Sequence, residues 1–281
     1  MKVLFINNFS GPDYLNDCIF HGLNQVDVDL EVTADPSYMM KSYPDKSSLY
    51  GKGFTVFATL DSPVTISDDV KGKIKDHHYD LIVYGSVHRD RSYSEEVLSS
   101  YDKDDILSFD GEDHPIIYEP FVASTTYFKR ENLNGRTDVN PISFSIPKEK
   151  ILNQDTTKTK LFATVVPGKP ETYLFDKESD YYNDYASSYY GYTWKKAGWD
   201  CMRHYEILAA GCVPAFRGLE LCPPLVMKSF PKDLVLKSNL CSLKGQIHPN
   251  YDELKEELVE YTKQNLTTQK VVENILSIGV V

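Results

Sequence analysis

Short apolar runs recur along the chain, and each stops abruptly at a turn. Lys2-Val-Leu-Phe-Ile6 ends in Asn7-Asn8 and the turn Ser10-Gly-Pro-Asp13, and Tyr79-Asp-Leu-Ile-Val-Tyr84 ends in Gly85-Ser86. Ile106-Leu-Ser-Phe109 ends in Asp110-Gly-Glu-Asp113, and Leu161-Phe-Ala-Thr-Val-Val166 ends at Pro167-Gly168. Brief unbroken apolar runs of this kind suit strands buried on both faces. Between them lie stretches with helical spacing, such as Tyr14, Leu15, Cys18, Ile19 and Leu23. Strands alternating with helices imply a parallel sheet with helices packed on its faces, so the fold class is α/β. In such sheets ligands sit beyond the carboxyl ends of the strands, which directs attention to the loops that follow them.

Further strands are expected at Leu30-Glu-Val32, Phe54-Thr-Val-Phe-Ala58, Ala123 to Phe128 and Ile142 to Ile146. The character turns polar from Pro147 to Lys158, which places a boundary between an N-terminal domain, residues 1–150, and a C-terminal domain, residues 151–281. The second half repeats the plan. A strand is followed by an acidic helix near Asp176 to Ser187, a helix from about Trp199 to Ala210 ended by Gly211, and the run Val213-Pro-Ala-Phe216. Amphipathic helices at Asp252 to Gln264 and Gln269 to Ile278 close the chain, and these are expected to pack back on the N-terminal domain. Two α/β halves joined in this way leave a cleft between them.

Charge narrows the partners. The chain carries 30 Lys and Arg against 41 Asp and Glu, a net charge of -11, which argues against a surface that tracks nucleic acid phosphates. Any anion site must be local. The apolar run at the N-terminus stops after Ile6, short of a signal peptide or a membrane span, so no integral membrane segment is expected. The five cysteines include no CxxC pair and are read as reduced thiols, which points to a cytoplasmic protein.

The segment richest in chemistry runs from Thr193 to Pro214. A helix starting near Trp199 presents unpaired backbone N–H groups, preceded by Lys195, Lys196 and Gly198, an arrangement that attracts anions. Arg203 and Glu206 stand three apart and share a helix face. A cation that bonds phosphates beside a carboxylate that accepts two ribose hydroxyls suits a nucleoside diphosphate. The plainer reading is a surface Arg–Glu pair.

The run Gly198-Trp-Asp-Cys-Met-Arg-His-Tyr-Glu-Ile-Leu-Ala-Ala-Gly-Cys-Val-Pro214 resembles the donor-site motif of GT-B glycosyltransferases, above all exostosin-like ones. The matching positions are Arg203, Glu206, Gly211, Cys212 and Pro214. Tyr127-Phe-Lys-Arg-Glu131, Pro141 to Pro147, and Cys222-Pro-Pro through Phe230-Pro-Lys are similar to bacterial and large-virus members of that group. The likeness spans about residues 105–240, and the first 100 residues match no pattern of the family. It implies two Rossmann-like domains facing across a cleft, with the nucleotide sugar held by the C-terminal one and a glycan acceptor by the N-terminal one. It implies a UDP-sugar donor, for example UDP-xylose, with a GDP-sugar second. No cofactor and no metal are expected, because GT-B enzymes neutralise the leaving diphosphate with Arg, Lys and helix N-termini. A surface glycan made in the cytosol, host cytosol for a viral protein, is the implied product.

The expected donor-binding set is Arg203, Glu206, Lys195, Lys196, Trp199, Tyr192, Lys129 and Arg130. Tyr192 belongs to the cluster Tyr181, Tyr182, Tyr185, Tyr189, Tyr190 and Tyr192, which either stacks on a base or sugar ring or forms a Tyr-rich helix packed on the sheet. A general base for an inverting transfer comes from the pool Asp110, Asp113, Asp13 and His88, all in loops after strands. The acidic turn at Asp110 to Asp113 also has the residue types of a Mg²⁺ or Mn²⁺ site. Gly51-Lys-Gly53 is too short for a phosphate loop, and the first strand lacks the GxGxxG of a dehydrogenase or epimerase. The rival to an active transferase is a non-catalytic nucleotide- or glycan-binding module derived from one.

Overall fold

The computed structural model describes residues 1–61, 63–152 and 156–279. Its first half is one seven-stranded parallel sheet. The elements are β1 (Lys2–Ile6), α1 (Tyr14–Leu23), β2 (Asp29–Val32), β3 (Thr65–Ile66), α2 (Val70–Lys75), β4 (Leu81–Tyr84), α3 (Ser94–Ser100), β5 (Ile106–Asp110), α4 (Glu119–Ser124), β6 (Thr126–Lys129) and β7 (Asn140–Pro141). The strand order is β3-β2-β1-β4-β5-β6-β7. That order reverses direction between β1 and β4, which pair from Val3↔Leu81 to Ile6↔Tyr84, and the crevice beside such a reversal is where doubly wound sheets bind ligands. All of β4 and β5 is buried, as the apolar runs require.

The second half holds β8 (Lys160–Phe162), α5 (Glu178–Ala186), β9 (Ser188–Trp194), α6 (Met202–Ala209), β10 (Val213–Arg217), α7 (Lys232–Leu243), α8 (Tyr251–Tyr261) and α9 (Thr268–Gly279). Its sheet is smaller, three parallel strands in the order β10-β9-β8. Of the polar connector, residues 153–155 lie outside the described residues. Helix α9 returns to the first half and lies on α1. His21 Nδ1 meets Thr268 Oγ1 at 2.8 Å, and a Cβ on Gly22 would stand 2.4 Å from the Thr268 carbonyl oxygen, so only glycine admits this approach. The larger of two apolar clusters therefore runs from Val3 to Ile275 through both halves, and the smaller, from Leu4 to Val139, lies within the first half.

Four local expectations need correction. Phe54 to Ala58 is not a strand: Thr55 and Ala58 have φ of 73° and 51°, and left-handed backbone cannot join a ladder. Ala123 to Phe128 divides into the end of α4 and most of β6. Residues Ile142 to Ile146 join no sheet, although Ile146 makes one bridge to Thr267. The helix expected from Trp199 starts at Met202, because Cys201 is extended (φ -147°, ψ 136°). The tyrosine cluster is also split between two elements. Tyr181, Tyr182 and Tyr185 lie on α5, whereas Tyr189, Tyr190 and Tyr192 lie on β9, where aromatic residues favour the pleated surface.

Candidate active site

A cleft of about 800 Å³ opens between the two halves, of the size typical of small-molecule sites. Its C-terminal wall is built by the first turns of α6. Because the helix begins at Met202, Arg203 and Glu206 stand one turn apart on the side that faces the cleft. The Arg203 guanidinium lies over the Tyr173 ring at 5.6 Å, and Nη2 donates to the Tyr173 hydroxyl at 3.4 Å. Its Nε is buried with no hydrogen-bond partner, and among the described residues no carboxylate pairs with it. Buried cations are normally paired, so this one is arranged for an incoming anion.

Glu206 is buried, and each of its carboxylate oxygens already holds a hydroxyl. Thr55 Oγ1 donates to Oε1 and the Tyr181 hydroxyl to Oε2, both at 2.5 Å. Burial raises the Glu206 pKa, and these two hydrogen bonds oppose the rise. A carboxylate that accepts one hydroxyl on each oxygen is equipped for a vicinal diol.

The N-terminal wall comes from the loops after β1 and β4, on the two sides of the sheet reversal. Asp13 caps α1 through the Asn16 N–H, accepts from Ser86 Oγ at 3.0 Å, and pairs with Arg89 Nε at 3.1 Å. Arg130, at the end of β6, is buried beneath the cleft. It donates to the Gly111 and Asp200 carbonyls and to Glu131 at 2.8–2.9 Å, pairs with Asp113, and stacks 4.6 Å over Phe144. Asp200 in turn accepts from the Phe144 N–H and the Tyr205 hydroxyl, and burial pushes its pKa up to about 6. Arg130 thus ties the acidic turn of the first half to the loop that precedes α6.

The candidate residues from sequence divide accordingly. Arg203, Glu206, Lys196, Arg130, Asp13 and Asp113 line the cleft. Lys129 and Asp110 do not, which corrects the expectation that Lys129 clamps a phosphate and Asp110 takes a proton. They are register partners on β6 and β5, both fully buried, and pair at 2.7 Å. Burial works to raise the Asp110 pKa, but hydrogen bonds from His88, Lys129 and Tyr127 outweigh it and hold the carboxylate below its usual range. His88 is engaged with this buried pair and is not part of the cleft lining. Tyr192 is likewise outside it, stacked on Phe162 with ring centroids 4.2 Å apart. Lys195 and Trp199 line a smaller neighbouring pocket. Among the described residues no group of three His, Cys, Asp or Glu side chains is placed to hold a metal ion.

Two residues absent from the sequence-derived set, Thr55 and Tyr173, contact Glu206 and Arg203 respectively. Thr55 was hidden in a run that looks like a strand. Tyr173 follows no motif, and its role appears only when the chain between β8 and α5 folds over Arg203.

No protein-family model matches the chain, and no curated protein matches it by sequence. Solved structures do. The chain is similar to Anabaena Alr3699/HepE, solved in complex with UDP and glucose, with a TM-score of 0.50 at 11% identity over 99% of each chain. Its structural neighbours are GT-B glycosyltransferases. They include Acinetobacter baumannii MurG, TM-score 0.45 at 10% identity over 98% of this chain and 99% of that one. They also include an alpha-glucosyltransferase in complex with UDP and a 13-mer DNA containing an HMU base, TM-score 0.49 at 10% identity over the whole of both chains. The two parallel sheets and the likeness to HepE make the fold GT-B-like, two Rossmann-like domains with a cleft between them. Among the described residues no helix is long and apolar enough to cross a membrane.

Proposed function

We propose that the protein is a glycosyltransferase that moves a sugar from a UDP-sugar to a hydroxyl of a saccharide acceptor. The observation that carries this reading is the pairing on α6 of a half-buried Arg203, whose Nε has no hydrogen-bond partner and which no carboxylate pairs among the described residues, with a Glu206 that already binds two hydroxyls. The first is a ready diphosphate partner and the second a ready ribose partner. The UDP seen with HepE, which shares the fold, supports uridine as the base. The net charge of -11 favours a saccharide over a nucleic acid as acceptor.

In the transfer, the acceptor oxygen bonds to the anomeric carbon as the bond from that carbon to the diphosphate oxygen breaks. Negative charge grows on the leaving diphosphate, where Arg203 and the exposed Lys196 supply preorganised positive charge. No metal ion is needed for that step. Glu206 exchanges the Thr55 and Tyr181 hydroxyls for the two ribose hydroxyls. The acceptor proton passes to Asp13, whose partner Arg89 is 44% exposed and free to swing away, whereas Asp113 is braced by the buried Arg130. The five free cysteines fit a reducing cytosol.

Calorimetric titration of UDP, GDP and ADP into the wild type and the Arg203→Ala and Glu206→Ala variants tests this. Selective UDP binding should weaken roughly 10- to 100-fold in each variant, the worth of a charge-assisted hydrogen bond. Unchanged affinity in both variants would refute the donor site. UDP binding without release of UDP from any UDP-sugar, with or without acceptor, would leave a nucleotide-binding module instead.

A further inference from the structure

Both tryptophans of the chain, Trp194 and Trp199, line one small pocket beside the cleft, together with Lys195, Arg217 and Leu221. Its position follows from the second sheet. Trp194 ends β9, Arg217 ends β10, and the two are register partners, so they stand together at the carboxyl edge where parallel sheets bind ligands. Gly218, with φ +81°, then turns the chain away and leaves the edge open. Lys195 Nζ lies 5.4 Å from the centroid of the Trp199 ring, and Leu221 is 73% exposed at the rim. The volume is about 260 Å³, below the roughly 300–1,000 Å³ of pockets for drug-sized ligands and fit for one ring rather than a nucleotide.

The charge here runs against the rest of the molecule. Acidic residues outnumber basic ones, 41 to 30, yet among the described residues neither Lys195 nor Arg217 pairs with a carboxylate. Aromatic faces take the apolar C–H surface of a saccharide ring, and two cations at the same opening that no carboxylate neutralises select one that carries negative charge. We propose that this pocket is a saccharide subsite for an anionic sugar unit, one bearing a carboxylate, sulfate or phosphate. The loop from Lys195 to Trp199 separates it from the cleft, and the intervening residues Lys196 and Gly198 line the cleft itself. A glycan seated here extends toward the donor wall. As the acceptor's anchor the subsite rests on the transferase reading; as a saccharide pocket it stands on its own residues.

The tryptophans supply the probe. Selectively excited tryptophan emission should change saturably with a glucuronate-containing disaccharide, at least tenfold more tightly than with its neutral glucose counterpart. The Lys195→Ala/Arg217→Ala variant should lose that preference at an unchanged melting temperature, since both side chains are exposed. Saturating UDP should not displace the disaccharide, and Arg203→Ala should keep it while losing UDP, which separates failure of this site from failure of the donor site. A charge preference seen only between UDP-glucuronate and UDP-glucose, and lost in the same double variant, assigns the anionic unit to the donor sugar in this pocket. Equal affinity for acidic and neutral sugars in both comparisons, or a double variant that keeps the preference, overturns the proposal.

Discussion

Thr55 of the N-terminal half donates its hydroxyl to Glu206 of the C-terminal half at 2.5 Å. The segment around it is fastened on the same side: the Thr55 N–H donates to Glu178 at 2.6 Å, and Lys52 Nζ reaches Asp176 and the Phe175 carbonyl, each at 2.7 Å. Thr55 holds φ at 73°, a costly conformation for a β-branched residue, kept because bonds on two sides over-determine it. In the proposed donor site the hydroxyl occupies a carboxylate oxygen that a ribose would use, and the strap would then compete with the nucleotide for Glu206.

Thr55→Val removes the competitor and keeps the shape. UDP should bind about tenfold more tightly, because the wild type must break a hydrogen bond to a charged group that the variant lacks. Stability should fall by about 1–3 kcal/mol as the buried Glu206 loses a partner. Unchanged UDP affinity in a titration would show that the strap does not compete.

Lys129→Met should destabilise the fold by about 3–5 kcal/mol, since it leaves the buried Asp110 without its cation. It should leave UDP affinity within a factor of two. Urea unfolding and calorimetry on the same sample check both, and a large loss of UDP binding in a folded variant would return Lys129 to the donor site.

Gly198→Ala should cost about 1–3 kcal/mol. The added Cβ would fall 2.5 Å from Asp113 Oδ1 and 2.6 Å from Glu131 Oε1, and Glu131 is buried and held by Arg130. The thermal midpoint reads the loss directly; an unshifted midpoint would mean that the loop before α6 moves freely.

His204 makes acid unfolding steeper. Its Nε2–H donates to the Trp199 carbonyl and Nδ1 accepts from Thr193, so the neutral ring is satisfied, and burial pushes its pKa down to about 3 from 6.5. The unfolded chain therefore binds the extra proton between pH 6.5 and 3, and this stabilisation is present above pH 6.5 and lost as pH falls through the window. The shift corresponds to an order of 5 kcal/mol. Asp17 and Asp200, raised by burial to about 7 and about 6, tilt stability the opposite way, so the His204→Gln difference is the quantity to measure. The gap in unfolding free energy between wild type and variant should shrink from pH 7 to pH 4; a constant gap would sink the assignment.

EDTA should leave both UDP binding and transfer intact, because in the proposed transfer Arg203 and Lys196 carry the diphosphate charge. A strict requirement for added Mn²⁺ would overturn the metal-free step.

Local pattern was enough for the parallel frame. The apolar runs of β1, β4 and β5 have few alternatives to strands buried on both faces, and a three-residue spacing put Arg203 and Glu206 on one side of a helix whatever surrounds it. Local pattern was not enough for the site. Asp13 and Asp110 both follow apolar runs, yet one reaches the cleft and the other ends β5 and is buried, because β6 lays Lys129 beside Asp110 in register. Thr55 sits in an apolar run that reads as a strand, and only its bonds to Glu178 and Glu206, 123 and 151 residues away, hold it in a left-handed turn. Strand identity is set by burial and side-chain periodicity, which neighbours in sequence carry. Which carboxylate faces the cleft is set by the partners that distant segments bring to it, and those contacts exist only once the chain has folded.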